Sequence, residues 1–501
     1  MDLSTEEKFV ALLKKMSAYS EAVSIMYWDM RTGAPKKGIP ARSEAVGTLS
    51  TELFKMSVSE EMGGYLEELG NRKDTLNPIL LKTVEEVKKE YDLSGKIPAE
   101  EYREFVVLTS QSESAWEEAK EQADFDMFLP YLEKIVATTK KFIGYWGVKD
   151  GNAYNTLLNQ YEPGMTTDII DEVFGQLKET IVPLVKKISE SGNQPDTSFL
   201  FKQFPKENQK AFSHAILTQL GYDFNAGRLD ETVHPFETAI NIGDVRITTK
   251  YDENDFRSAI FGTIHECGHA LYDQNIDLEL EGLPIAEGTS MGIHESQSLF
   301  YEQFVGHNEN FWTYNFDLLK SQSPEQFEDV ALEDFLRAIN VSKPSLIRIE
   351  ADELTYPLHI MIRYEIEKGI FNGDYEVKDL PQIWNDKYEE YLGVRPKNNS
   401  EGVLQDVHWA GGSFGYFPSY ALGYMYAAQL KVAMLKDLPN FDELCGNGDF
   451  GPILDWLTEH VHKYGKMKQP LEIINDTTGE GLNAKYLADY LSEKYTKLYS
   501  L

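Results

Sequence analysis

The chain has 501 residues, 42% of them hydrophobic and 12% aromatic, and its 48 Lys and Arg against 82 Asp and Glu give a formal charge of −34. That is ample apolar material for a large core, while a charge of this sign repels phosphate backbones and argues against nucleic acid as the main partner. No run of 18 apolar residues occurs, and the start Met1-Asp2-Leu3-Ser4-Thr5-Glu6-Glu7 has neither a basic nor an apolar leader, so the expectation is a cytoplasmic protein with no membrane partner.

Ser4-Thr5-Glu6-Glu7 is a capping-box pattern followed by Phe9, Val10, Leu12, Leu13 and Met16 at helical spacing, which predicts a helix from the start of the chain. A second helix is predicted from Pro98 through Leu108, with Glu100 and Glu101 in its first turn. Residues 126–142 read as another. Most of the first 230 residues keep this period, broken by loops at 161–164 and 192–195. The pattern then changes: Ala239-Ile240-Asn241-Ile242, Gly243-Asp244 and Val245-Arg246-Ile247-Thr248-Thr249-Lys250 alternate around a two-residue turn, as a hairpin requires. A strand here could receive an extended peptide as a further strand or be purely structural. Helical spacing resumes over 294–304, 325–340 and 346–369, is interrupted by the glycine- and aromatic-rich stretch 408–420, and returns from Ala421 to Leu435 and toward the C-terminus. With no internal repeat or linker, one mainly α domain over 1–501 is expected. Two cysteines, Cys267 and Cys445, cannot form a disulfide framework and fit a reducing compartment.

At the centre of the chain stands Phe261-Gly262-Thr263-Ile264-His265-Glu266-Cys267-Gly268-His269-Ala270-Leu271-Tyr272. On a helix each residue advances roughly 100°, so His265 and His269 lie about 40° apart and can face one ion. Glu266 can then reach a water at that ion without being a ligand, and Cys267 faces away. The His-Glu-x-x-His pattern is that of zinc peptidases. Catalytic zinc commonly takes three protein ligands. Glu295, 26 residues after His269 and opening a predicted helix, is the leading candidate for the third, with Asp273, Glu287 and His294 as rivals. Asp273, one turn past His269, is better placed to orient a histidine. Imidazole and carboxylate donors suit Zn2+ and also accept Co2+ or Mn2+. The ion would acidify a water and polarise a scissile carbonyl while Glu266 takes the water proton and passes it to the leaving amine.

The chain resembles the carboxypeptidase Taq family of metallocarboxypeptidases well beyond this motif. His234-Pro235-Phe236, Asp244-Val245-Arg246-Ile247-Thr248, His265 to His269, His294-Glu295-Ser296-Gln297, Ile347-Arg348-Ile349-Glu350-Ala351-Asp352 and Gly402-Val403-Leu404-Gln405-Asp406-Val407-His408-Trp409 match family motifs in order. The resemblance implies a helical, neurolysin-like fold with a deep groove and the metal at its floor, residues 1–230 forming one wall and 231–501 the catalytic part, usually as a homodimer. It implies release of single residues from peptide C-termini, with broad tolerance and little activity at proline. It assigns His265, His269 and Glu295 to the metal and Glu266 as general base.

An exopeptidase must recognise a free carboxylate, which a guanidinium does bidentately. Arg348, supported by its family motif, is the first choice and Arg246 the alternative, although the first could be part of a buried ion pair and the second could hold the hairpin together. A donor for the tetrahedral intermediate is expected from Tyr420 with His408, Tyr416 being a rival. His234 and Gln405 are further candidates for contact with substrate. An oligopeptidase or dipeptidyl carboxypeptidase of similar fold, and a noncatalytic metal- or peptide-binding protein, are the competing readings.

Overall fold

A computed structural model describes residues 3–501. The helix predicted from the N-terminal capping box is there: α1 spans Thr5–Thr32, with Ser4 Oγ accepting from Glu7 N and the Glu7 carboxylate accepting from Ser4 N. It is followed by α2 (Ile39–Ser57), α3 (Glu60–Gly70), α4 (Pro78–Lys96), α5 (Ala99–Gln122), α6 (Phe125–Trp146), α7 (Ala153–Tyr161), α8 (Thr167–Glu190) and α9 (Lys206–Leu220). Phe9 and Leu13 of α1 pack with Met62, Leu66 and Leu69 of α3 and with Leu80, Val84 and Val87 of α4 in a small core of their own. The main core is separate and runs from Ala119 to Tyr499.

The hairpin forms as β2 (Glu237–Asn241) and β3 (Asp244–Thr249), paired antiparallel with Ala239 opposite Val245. A third strand, β1 (Leu229–Glu231), adds to β3 in parallel; three residues with one hydrophobic side chain leave almost no alternation to detect. Val245 and Ile247 are fully buried, and Thr249 accepts from Thr263 Oγ1, which seats β3 on α10 (Arg257–Gln274), the helix that carries the central motif.

Next come α11 (Met291–Leu299), continuing into a π-helical turn at Phe300–Gly306, then α12 (Glu309–Gln322), α13 (Pro324–Phe327) and α14 (Leu332–Ile339). The periodic stretch 325–340 is thus two helices. The helix expected over 346–369 begins only at Tyr356, as α15 (Tyr356–Asn372). Asp352 explains the delay: its carboxylate accepts from the N–H groups of Lys343, Leu354 and Thr355, offering that backbone an alternative to helix. After α16 (Leu380–Leu392), α17 (Pro418–Asp437) starts three residues before its expected beginning, because Pro418 occupies a first-turn position where proline is preorganised. Among the described residues, no helix is long and apolar enough to cross a membrane.

Candidate metal centre and groove

α10 and α11 cross closely because of one glycine. A Cβ on Gly268 would meet Gln297 O at 2.4 Å and Ser298 Cα at 2.6 Å, so no larger residue fits between the two helices. Gly423 on α17 does the same from the other side, where a Cβ would lie 2.7 Å from Glu295 Cβ. Glu295 is thereby pressed toward the motif helix. Its Oε2 lies 3.5 Å from His269 Nε2 and 3.9 Å from His265 Nε2.

These three ligand atoms all lie within 4.8 Å of one another. Tetrahedral ligands on a zinc-sized ion would be separated by about 3.4 Å. The other ring nitrogens are already committed, His265 Nδ1 to Glu302 at 2.7 Å and His269 Nδ1 to His294 at 2.6 Å, so both Nε2 atoms remain for an ion. The donor set therefore fits a divalent metal. Electrostatics agree. Burial opposes charge on His265, but Glu295 and Glu302 outweigh it and raise the ring to about 10, as if to hold a cation, while burial, partly offset by Glu295, takes His269 down to about 4. Glu266 is 8% exposed. Burial, opposed by His265 and reinforced by Glu295 and Glu302, pushes it up to about 7. Cys267 is fully buried in the core.

The rivals for third ligand are placed elsewhere. Glu287 is exposed and paired with Lys466. Asp273 faces His294 Nε2 at 3.1 Å, and its side chain makes no hydrogen bond to His265 or His269. Glu302, which lies outside every motif, backs His265. It follows Glu295 by seven residues, which is nearly two helical turns and about 20° from the same face, and that spacing could have revealed it.

Beyond the motif lies a second group. Arg348 is 7% exposed, donates to Asp406 Oδ1 through Nε at 3.0 Å, pairs with it again through Nη2 at 2.9 Å, and donates to the Tyr356 hydroxyl at 3.2 Å. Arg363, fully buried on α15, holds the other oxygen of Asp406 through Nε at 2.7 Å. The Arg348 guanidinium lies 5.1 Å from the Tyr420 ring centre. Tyr420 and Tyr416 pack edge to face at 5.2 Å, and the charge of Glu295 acts on both and on Tyr356. His408 Nε2 lies 3.4 Å from the Tyr420 hydroxyl. Burial, with Arg348 and Arg363 working against Asp406, lowers His408 to about 4, so the ring is neutral. Neither Tyr356 nor Arg363 carries a signal in the sequence, where Tyr356 is one tyrosine among 28.

Three other candidates stand apart from this group or are fully engaged. Gln405 accepts from Arg348 N and Arg363 Nη2 and donates to Leu346 O, so it anchors the arginine loop and has its polar groups engaged. Arg246 is bonded bidentately to Asp244 at 2.7 and 2.6 Å and lies over Trp28 of α1, on the hairpin face away from Val245 and Ile247. His234 is exposed in the loop between β1 and β2, where Phe236 is the anchored residue, packed against Trp28.

A cavity of about 520 Å³ opens beside His294, lined by Leu13, Met62 and Tyr91 of the N-terminal helices together with Tyr161, Thr289 and Lys466.

Residues 8–495 match the family described as carboxypeptidase Taq (M32) metallopeptidase. The Bacillus subtilis (strain 168) protein named Carboxypeptidase 1 is 59% identical over 502 residues, covering 100% of both chains. Thermostable carboxypeptidase 1 of Thermus thermophilus is 41% identical over 94% of each chain. The crystal structure of the M32 carboxypeptidase from Deinococcus radiodurans R1 superposes with a TM-score of 0.96 at 34% identity, over 99% of this chain and 100% of that one. The family model and these relatives cover nearly the whole chain: it belongs to the carboxypeptidase Taq (M32) metallopeptidase family and is a metallocarboxypeptidase.

Proposed function

We propose that this enzyme releases single amino acids from the C-termini of short, unfolded peptides, with Zn2+ held by His265, His269 and Glu295. The observation that carries the C-terminal reading is a charge count. Arg348 and Arg363 share one carboxylate, Asp406, in a largely buried pocket beside Tyr420. The nearby Glu367 does not supply the missing charge, since it bonds Tyr154, Trp409 and Gly415 N, and burial pushes it up to about 7. One positive charge is left for a substrate carboxylate, and a guanidinium is the group that reads it with direction.

An ion held by the triad would supply Lewis acidity to a water and to the scissile carbonyl. Glu266, as a carboxylate whose raised pKa makes it a stronger base, takes the proton of the attacking water and returns it to the leaving amine. Tyr420 donates to the developing oxyanion, with neutral His408 orienting its hydroxyl and Tyr416 packed alongside. The cavity lined by residues of the N-terminal helices and of the catalytic part receives the rest of an extended chain and excludes folded substrates. Broad side-chain tolerance, discrimination against proline, a cytoplasmic location and a homodimer complete the proposal.

Timed product analysis on an N-blocked tetrapeptide tests it. Single free amino acids are expected first; dipeptides without free amino acids would show a dipeptidyl carboxypeptidase instead.

A further inference from the structure

Metal-ligating histidines normally give their second N–H to a carboxylate, a carbonyl or water. His265 follows that pattern through Glu302, at 2.7 Å. His269 does not: its Nδ1 faces the Nδ1 of another imidazole, His294, at 2.6 Å, and His294 Nε2 in turn faces Asp273 Oδ2 at 3.1 Å. The His294 ring has little freedom to turn. It packs on Tyr272 with centroids 5.2 Å apart, and a Cβ on Gly288 would come within 2.6 Å of its Cδ2.

The hydrogens of this chain follow from one condition. If His269 offers the lone pair of Nε2 to an ion, its single hydrogen is on Nδ1. His294 Nδ1 must then accept, so the hydrogen of His294 is on Nε2, where Asp273 accepts it. Every contact is satisfied with both rings neutral. We infer that His294 is a positioning residue for the metal centre, fixing the tautomer and orientation of His269, and that Asp273 is the group that holds His294 in the accepting tautomer.

The inference rests on the triad being the metal site, and it settles the role of a second cluster beside it. Glu237, Asp273 and His294 also bring ligand atoms within 4.8 Å of one another, and Asp273 Oδ1 and Glu237 Oε1 have no hydrogen-bond partner. Taken alone, the three resemble a second ion site. A cation there would need the lone pair of His294 Nε2, which would move the hydrogen to Nδ1 and set it head-on against the Nδ1 hydrogen of His269. With the triad filled, this cluster serves as the far end of the relay and holds no ion of its own.

The test measures metal binding in purified full-length protein by chelator competition with Zn2+ and by the visible spectrum after Co2+ substitution. His294→Phe keeps the ring and removes both nitrogens; it is expected to weaken Zn2+ binding about 10- to 100-fold and to alter the Co2+ bands. His294→Gln restores an acceptor opposite His269 and is expected to recover most of that loss. Asp273→Asn, which still accepts from His294, is expected to lose less than His294→Phe. Wild-type protein is expected to hold one ion per chain. Unchanged affinity and Co2+ bands in His294→Phe would overturn the positioning role, as would a loss of thermal stability alone or an equal loss in all three variants. Two ions per wild-type chain would overturn the relay. Wild-type protein that binds no ion, or a His265→Ala variant that binds as tightly as wild type, would instead overturn the assignment of the triad.

Discussion

The two halves of the site are built in opposite ways. The proposed metal centre is local: two of its proposed ligands and the proposed base lie within five residues of α10, and the third proposed ligand arrives on α11, admitted by Gly268 and Gly423. The arginine pocket is assembled from three distant segments, the loop at Arg348, the buried Arg363 on α15 and the stretch from Gln405 to Tyr420. In the metal centre the functional atoms are left free, the Nε2 atoms pointing at a common centre. In the pocket both arginines are already paired with Asp406, and what remains for a ligand is a surplus of one positive charge and the N–H groups of Arg348 that Asp406 and Tyr356 do not take. On the proposed reading, catalysis depends on a few unengaged atoms and recognition on the balance of a buried network.

The largest expected effect falls on the first half. Glu266→Gln should lower kcat by about 10²- to 10⁴-fold while retaining the metal, measured by peptide hydrolysis alongside metal analysis. An unchanged rate would remove the general base and leave a metal-binding protein. In the second half the equivalent blow is to stability. Asp406→Asn leaves two buried guanidinium groups without their shared carboxylate and should cost about 3–5 kcal/mol, measured by denaturant unfolding. Although burial opposes its charge, Arg363 and Arg348 hold the Asp406 carboxyl well below its ordinary 3.8. Its contribution is therefore present above that value and is lost as the pH falls through the lowered one.

Arg348→Ala separates recognition from chemistry. Losing a charged, directional contact to the substrate carboxylate is worth about 1.5–3 kcal/mol, so KM on free-acid peptides should rise about 10- to 100-fold, with little change on amidated ones. Equal effects on both would reduce Arg348 to an ion pair. Glu266 predicts the pH profile. Burial pushes it from 4.5 up to about 7 without an ion, and a bound cation draws it back. The acid limb of kcat/KM should then lie between those values and fall about tenfold per pH unit below the pKa. In Glu266→Asp the limb should move; a limb that stays fixed belongs to another group.

The same contrast explains what could be read from the sequence. His265, Glu266 and His269 are fixed by helical periodicity, which survives any tertiary context, and the hairpin at β2 and β3 by alternation and a turn. The pairing of β1, the break between α13 and α14 and the late start of α15 depend on partners such as Asp352 that periodicity does not register. Arg363 lies on a helix face that reads as core, and its significance exists only through Asp406, 43 residues away. Glu302, by contrast, was within reach of spacing arguments and passes into a π-helical turn that still leaves it against His265.

The smallest predicted effect separates the two candidate arginines. Arg246 has the sequence credentials of Arg348, a family motif and a neighbouring aspartate, but its partner is two residues away on the same strand and its aromatic contact is Trp28 of the N-terminal helix. With a side chain 18% exposed and an aspartate 30% exposed, the pair is screened enough that its loss should cost about 1 kcal/mol or less. Arg246→Ala should therefore leave kcat/KM within about twofold of wild type and lower thermal stability slightly, through a looser seat of the hairpin on α1. A rise in KM matching that of Arg348→Ala, again confined to free-acid peptides, would move carboxylate recognition to the hairpin and erase the division between a local metal centre and a distant arginine pocket.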